Sequence, residues 1–174
     1  MHAWNGDQPT ATKVQKKTQA YLDQLHKNDW IKSAYFDQEL GFYVPGDNID
    51  GMFREAGTKA RRGKDFQAFA YCPDDRIPLI VYKNHDDKKG ASLNGKLENH
   101  YKAEYIDTRG VRLGAVRIDR TRPIFRHWGL QFHYHYDDAV LELDAVKAAL
   151  GIGCIGDYRP RYGRFEVENI EQQS

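Results

Sequence analysis

Cysteine is scarce in this sequence: Cys72 and Cys154 are the only two, far apart and at no metal-ligand spacing. That excludes a disulfide framework, leaves room for one bridge at most, and fits a reducing, cytoplasmic setting. No apolar run approaches the length of a membrane span, and Met1-His2-Ala3-Trp4 does not open as a signal peptide, so no membrane role is expected. An excess of one charge is missing too: 26 Lys and Arg stand against 25 Asp and Glu. With a net charge of +1, any attraction to nucleic acid must come from an uneven distribution of charge. Internal repeats and low-complexity tracts are absent, and 174 residues suffice for a single domain with a real core.

What the sequence does have is concentrated near its end. Gly151, Gly153, Gly156 and Gly163 are interleaved with Tyr158, Arg159, Pro160, Arg161, Tyr162 and Arg164, and the stretch closes on Phe165-Glu166-Val167. Glycines let the backbone turn tightly and come close to a ligand, and successive N–H groups in such turns suit an anion. The guanidinium groups of Arg159, Arg161 and Arg164 match phosphate geometry. Tyr158 and Tyr162 offer flat faces for bases. The plain alternative is a glycine-capped helix, a surface loop and a terminal strand.

Along the chain, Thr10 or Thr12 is expected to cap a helix running to about Asn28. Its apolar face would be Val14, Thr18, Tyr21, Leu22 and Leu25, with Lys13, Lys16 and Lys17 in water. From Trp30 on, β segments are expected: residues 34–36 and 42–44 as a hairpin, then 66–71 and 77–82. Between the two pairs, Pro45-Gly46 breaks the strand, with Asp47 or Asn48 as cap of a helix whose core face is Ile49, Met52, Phe53 and Ala56. Its basic exit carries Arg54, Lys59, Arg61, Arg62 and Lys64, which suits a helix C-terminus or a phosphate. Residues 83–105 read as a long flexible loop or insertion. Arg109, Arg112, Arg117, Arg120, Arg122 and Arg126 run through two expected strands, with Val116 and Ile118 on one face and Pro123 at an edge or bend. Leu130, Phe132, Tyr134 and Tyr136 then alternate with polar residues as a further strand, and a helix over 140–150 leads into the glycine-rich loop.

Two motifs in this order resemble the RAMP superfamily. Tyr43-Val-Pro-Gly-Asp-Asn-Ile-Asp-Gly-Met-Phe-Arg54 is similar to its "PGSSLKGxLR" helix start, and Gly153 to Val167 resembles its glycine-rich loop and final strand. The segment Arg120-Thr-Arg-Pro-Ile-Phe-Arg-His-Trp128 and the "IGDxRPRxGRFEV" pattern resemble those of uncharacterised phage proteins of this type. The likeness spans roughly residues 34–167. It implies an α+β, ferredoxin-like (RRM-like) domain with an antiparallel sheet, and a relation to CRISPR backbone subunits and guide-RNA processing enzymes. Such a domain starts with a central strand, and here almost nothing precedes the first expected helix. The expected sheet therefore has an open slot that another chain could fill by strand addition.

These readings converge on a non-catalytic protein that binds single-stranded RNA or DNA. The expected site comprises Arg120, Arg122, Arg126, Tyr158, Arg159, Arg161, Tyr162 and Arg164, extended by Arg54, Arg61 and Arg62. Ion pairs to Asp119, Asp157 and Glu166 are the structural alternative for the arginines. Self-association is implied by the resemblance, as is a possible CRISPR effector subunit as partner; an anti-CRISPR or decoy role through protein contacts is the second reading. A third is a metal-independent ribonuclease using His133, His135, His127, His85 or His100, since some members of the resembled family cleave RNA with histidine as acid or base; against it, they usually place that histidine near the first helix, where only His26 stands. His133, His135 and Asp137 fall short of a metal site by one ligand. No cofactor and no metal are expected.

Overall fold

The computed structural model describes residues 18–156, 159 and 161–172. In chain order the elements are α1 (Gln19–Ser33), β1 (Phe36–Asp37), β2 (Gly41–Pro45), α2 (Gly46–Lys59), α3 (Gly63–Phe69), β3 (Ala70–Tyr71), β4 (Arg76–Pro78) and β5 (Ile80–Val81). There follow β6 (Ala91–Ser92), β7 (Ile106–Leu113), β8 (Val116–Pro123), β9 (Trp128–Gly129), β10 (His135–Tyr136) and α4 (Leu143–Ile152). The chain is α+β, and each of these ladders is antiparallel. Its residues gather into two compact units, one built from α1 and Tyr101–Ile124, the other from Tyr35–His100 and the residues from Phe125 on.

In the smaller unit β7 and β8 form a hairpin in continuous register from Ile106↔Pro123 to Leu113↔Val116, closed by Gly114-Ala115. Helix α1 docks on β8 through polar groups. Asp29 accepts the Thr121 N–H at 2.6 Å and the Arg120 guanidinium at 2.9 Å. One helical turn on, the Ser33 hydroxyl donates to the Thr121 carbonyl at 3.4 Å. Thr121 is fully buried, and its hydroxyl meets that of Thr108 at 2.9 Å. Residues i and i+4 of the helix thus supply what a third strand would otherwise supply. The Trp30 indole N–H donates to the Tyr105 carbonyl at 2.8 Å, and its ring meets Tyr101 edge-on.

The larger unit is organised on α2. Ile49, Met52, Phe53 and Ala56 recur with helical spacing and are buried, as expected. Phe53 stacks on Tyr134 with ring centroids 3.8 Å apart, and Phe66 lies 5.8 Å away on α3. Ile77, Leu141, Val146 and Ala149 complete this core. Strand β2 lies between β1 and β4, β5 lies between β6 and β9, and β3 pairs with β10. The hairpin β1–β2 has the expected register, Phe36↔Phe42, and Asp37 takes the N–H groups of Glu39 and Leu40 across its turn.

Several expectations are corrected. Helix α1 starts after Thr18, whose hydroxyl accepts the Tyr21 N–H, and continues through Trp30 to Ser33, because Trp30 is its buried anchor. Tyr21 and Leu25 are exposed, not core; Thr10, Thr12, Lys13, Val14, Lys16 and Lys17 lie outside the described residues. Helix α2 begins at Gly46 with Pro45 in the cap position, so neither Asp47 nor Asn48 caps it. Residues 66–69 are helical, since Phe66 points under α2. The 83–105 stretch holds β6 and two 3-10 turns, Leu97–His100 and Ala103–Tyr105. Leu130, Phe132, Tyr134 and Tyr136 do face the core, yet only 128–129 and 135–136 form ladders, because Asp74 takes the His133 N–H at 2.7 Å in place of a strand. Helix α4 starts at Leu143, after a turn that buries Leu141, and 165–167 form no strand. Cys72 and Cys154 are both free thiols.

The Asp29 carboxylate serves two donors on β8, one of them a buried backbone N–H. Replacing it by Ala is expected to cost about 1–3 kcal/mol, read as a lower denaturant midpoint for loss of the hairpin's signal, while Asp23→Ala on the same helix leaves that midpoint unchanged.

Candidate nucleic-acid interface

The glycine-rich loop is held at both ends. Gly153, at the C-cap of α4, lies so close to α2 that a Cβ there would sit 2.2 Å from the Met52 sulfur. At the far end Gly163 has φ +75°, and its carbonyl accepts the Ile155 N–H at 2.9 Å. A Cβ on Gly163 would overlap the Ile155 carbonyl. Gly156 also takes a positive φ, whereas Gly151 is an ordinary helical residue with open space around it. The loop is therefore anchored to α2 at Gly153 and closed by the Ile155–Gly163 bond.

This closure brings Arg159 onto the outer face of α2, where it pairs with Glu55 at 2.7 Å. Met52, Glu55, Ala56, Lys59, Gly153, Cys154 and Arg159 line a crevice of about 20 Å³, room for roughly one water. Lys59 and Arg159 border that crevice together, with Glu55 beside them. The Arg161 guanidinium lies 5.7 Å from the Tyr162 ring centroid, a cation–π contact. Arg164 is exposed, and the next residue, Phe165, turns inward to the core and to Trp128, 6.3 Å between centroids. Tyr158 lies outside the described residues, as does Asp157.

The other expected site residues divide into anchors and surface. Arg62 is an anchor: it pairs with Asp65 at 3.1 Å and donates to the Val140 carbonyl, tying α3 to the turn before α4. Arg120 is another, through Asp29, and it belongs with Arg122 to the smaller unit. Arg54 and Arg61 are exposed, Arg61 with a left-handed φ of 61° between α2 and α3. Arg126 is exposed beside Phe125, whose ring sits 4.8 Å from that of Phe42. The carboxylates that meet Arg120 and Arg159 are Asp29 and Glu55, not the sequence neighbours Asp119 and Glu166. Glu55 escaped sequence reasoning because nothing local links it to a loop about a hundred residues away.

Of the histidines, His133 has a carboxylate partner: Asp74 lies 3.2 Å from its Nδ1 and also takes its backbone N–H. These bonds hold the Asp74 carboxyl below the ordinary range, the His133 N–H first among the causes. His135 rests on the Tyr71 ring, 5.3 Å between centroids, and His100 sits beside the paired rings of Phe36 and Phe42 with Nε2 2.8 Å from the Asn94 carbonyl. Cys72 donates its backbone N–H to Asp50 at 2.8 Å, and burial raises both the Asp50 carboxyl and the Cys72 thiol. Burial also drives the Tyr134 phenol far above its usual value. Among the described residues no group of three or more His, Cys, Asp or Glu could hold a metal ion. No described helix is long and apolar enough to cross a membrane.

Compared with protein-family models, curated proteins and solved structures, the chain matches none. The geometry of its own residues therefore carries the functional argument.

Two predictions follow the two constraints described above. Gly163→Ala meets both a positive φ and an occupied volume, so it should lower stability by about 1–3 kcal/mol; Gly151→Ala, inside α4 with open space, should be neutral or gain up to about 1 kcal/mol. Urea denaturation of the two variants distinguishes them. For Asp74 the folded pKa is depressed, so its stabilising contribution is present above the unfolded value of about 4 and lost as pH falls through the folded value. Asp74→Asn should therefore flatten the acid limb of stability as pH falls below about 4.

Proposed function

We propose that this protein is a non-catalytic module that binds single-stranded nucleic acid through the glycine-rich loop and the adjoining face of α2. The observation that carries the reading is a loop pinned at Gly153 and closed at Gly163 that sets Arg159 beside Lys59 and carries the exposed Arg161 and Arg164. A preshaped loop loses little entropy when a ligand arrives. The Arg159–Glu55 pair is solvent-exposed, and such pairs contribute only about 0–1 kcal/mol, so a phosphate can replace the carboxylate at small cost. Tyr162 adds an aromatic face against which a base can stack, a contact of about 1–3 kcal/mol for a well-placed ring.

The passage of β2 through Pro45-Gly46 straight into α2, and of α4 into the glycine-rich loop, agrees with the order that the RAMP resemblance implies. On that resemblance the α+β fold is of ferredoxin-like, RAMP type, its strands divided among short ladders, and the protein is of phage or mobile-element origin. The ligand is a single strand because the loop offers cations and a ring at close quarters, the combination by which unpaired bases and their phosphates are held.

Fluorescence anisotropy with short single-stranded RNA and DNA over a salt series tests this. Each phosphate contact contributes about 0.7 to the slope of log K against log salt. Replacing Arg159, Arg161 and Arg164 together by Glu should abolish binding at moderate salt; replacing them by Gln should reduce the slope by about 2. Glu55→Gln should tighten binding. Wild-type protein that binds neither strand at low salt would sink the proposal.

A further inference from the structure

The β7–β8 hairpin has one edge that α1 does not serve. Asp29 and Ser33 occupy the outward N–H and C=O of Thr121 on β8. Thr121 is therefore one of the residues whose backbone groups turn away from the partner strand, and so is Thr108, its opposite number. By alternation Gly110 and Arg112 turn theirs outward as well, along the free side of β7. Among the described residues no strand pairs with that side: the sheet has two members. An eight-residue unpaired edge is a template for another strand.

The hairpin is also basic and apolar at its tip. Residues 106–123 hold Arg109, Arg112, Arg117, Arg120 and Arg122 against Asp107 and Asp119. Asp107 pairs with Arg109, and Asp29 with Arg120. Arg112 and Arg117 face each other across one rung, a like-charge pair that disfavours the hairpin unless an acidic group joins it. On the opposite face Leu113 and Val116 are 64% and 62% exposed. A second hairpin laid alongside would add more positive charge, so the fitting occupant is an acidic strand with an apolar residue to meet Leu113.

The chain contains such a strand. From Phe165, which is packed into the core of the larger unit, the sequence runs Glu-Val-Glu-Asn-Ile-Glu-Gln172 without a ladder partner among the described residues. Val167 and Ile170 are 42% and 40% exposed, and Glu166, Glu168 and Glu171 have no neighbouring cation in the segment. We infer that residues 166–172 of one copy add as a strand to the free β7 edge of a second copy. Antiparallel pairing with Val167 opposite Leu113 places Glu168 opposite Arg112 and Glu171 opposite Arg109 on the same register. Val167 then meets Leu113 on one face while Glu168 joins the Arg112/Arg117 rung on the other, where Ile170 lies opposite Gly110. A one-residue slip moves Val167 to the charged face. The contact joins two different surfaces, and the rotation it sets decides whether the assembly closes or extends.

Sedimentation velocity on nucleic-acid-free protein over a concentration series tests the inference independently of ligand binding. The expected result is concentration-dependent association that weakens as salt rises. Glu168→Arg and Arg112→Glu, both at exposed positions, should each weaken association at least about tenfold, and the charge-swapped double variant should recover it. A chain that stays monomeric at all concentrations, association that survives Glu168→Arg, or a double variant that fails to recover would each overturn it. Circular dichroism of the single variants confirms that the fold is retained.

Discussion

The larger unit depends on the stacking of Phe53. This side chain has no exposed surface and is flanked by the Tyr134 and Phe66 rings, so three segments distant in sequence meet on one face of α2. A buried ring of this size contributes a few kcal/mol by burial alone, and stacked neighbours add roughly 0.5–1.5 kcal/mol each. Because Phe53 fixes the rotation of α2 about its axis, it also fixes where Met52 and Glu55 point. Met52 then receives Gly153, and Glu55 receives Arg159. The position of the basic loop is thus a consequence of core packing one residue away on the same helix.

The smaller unit is held by a different physics. Its helix is largely polar, and what joins it to the hairpin is a set of hydrogen bonds around Thr121 together with Trp30. An unserved N–H at a buried position costs more than an ordinary hydrogen bond returns, so Asp29 is a condition for docking rather than an increment to it. That is why a two-stranded ribbon, marginal in isolation, persists here.

Elements whose periodicity is strong were legible from the residues. The core stripe of α2 and the β1–β2 hairpin across Asp37 are found where alternation and turn chemistry place them, and the inward face of Leu130, Phe132, Tyr134 and Tyr136 is real. Short apolar runs were not: Phe66 to Phe69 alternates poorly, and the decisive fact, a space beneath Gly57 and beside Phe53, is tertiary. The strand expected over 130–136 was replaced by a carboxylate bond from Asp74, which no local pattern announces. In the loop, the glycines at 153 and 163 were recognisable as points of close approach. The roles of Arg62 and Arg120 as anchors were not, because their partners Val140 and Asp29 lie 78 and 91 residues away.

The service that α1 gives to Thr121 has a further meaning. A hairpin has two edges, and a helix side chain that takes the backbone groups of one of them removes it from circulation. What is left is a ribbon with a handedness of its own: a single receptive flank, beginning beside the Gly114-Ala115 turn and ending near Ile106. A strand that joined the ribbon would find a single row of outward N–H and C=O groups to pair with, since α1 already takes those of Thr121 on the other side.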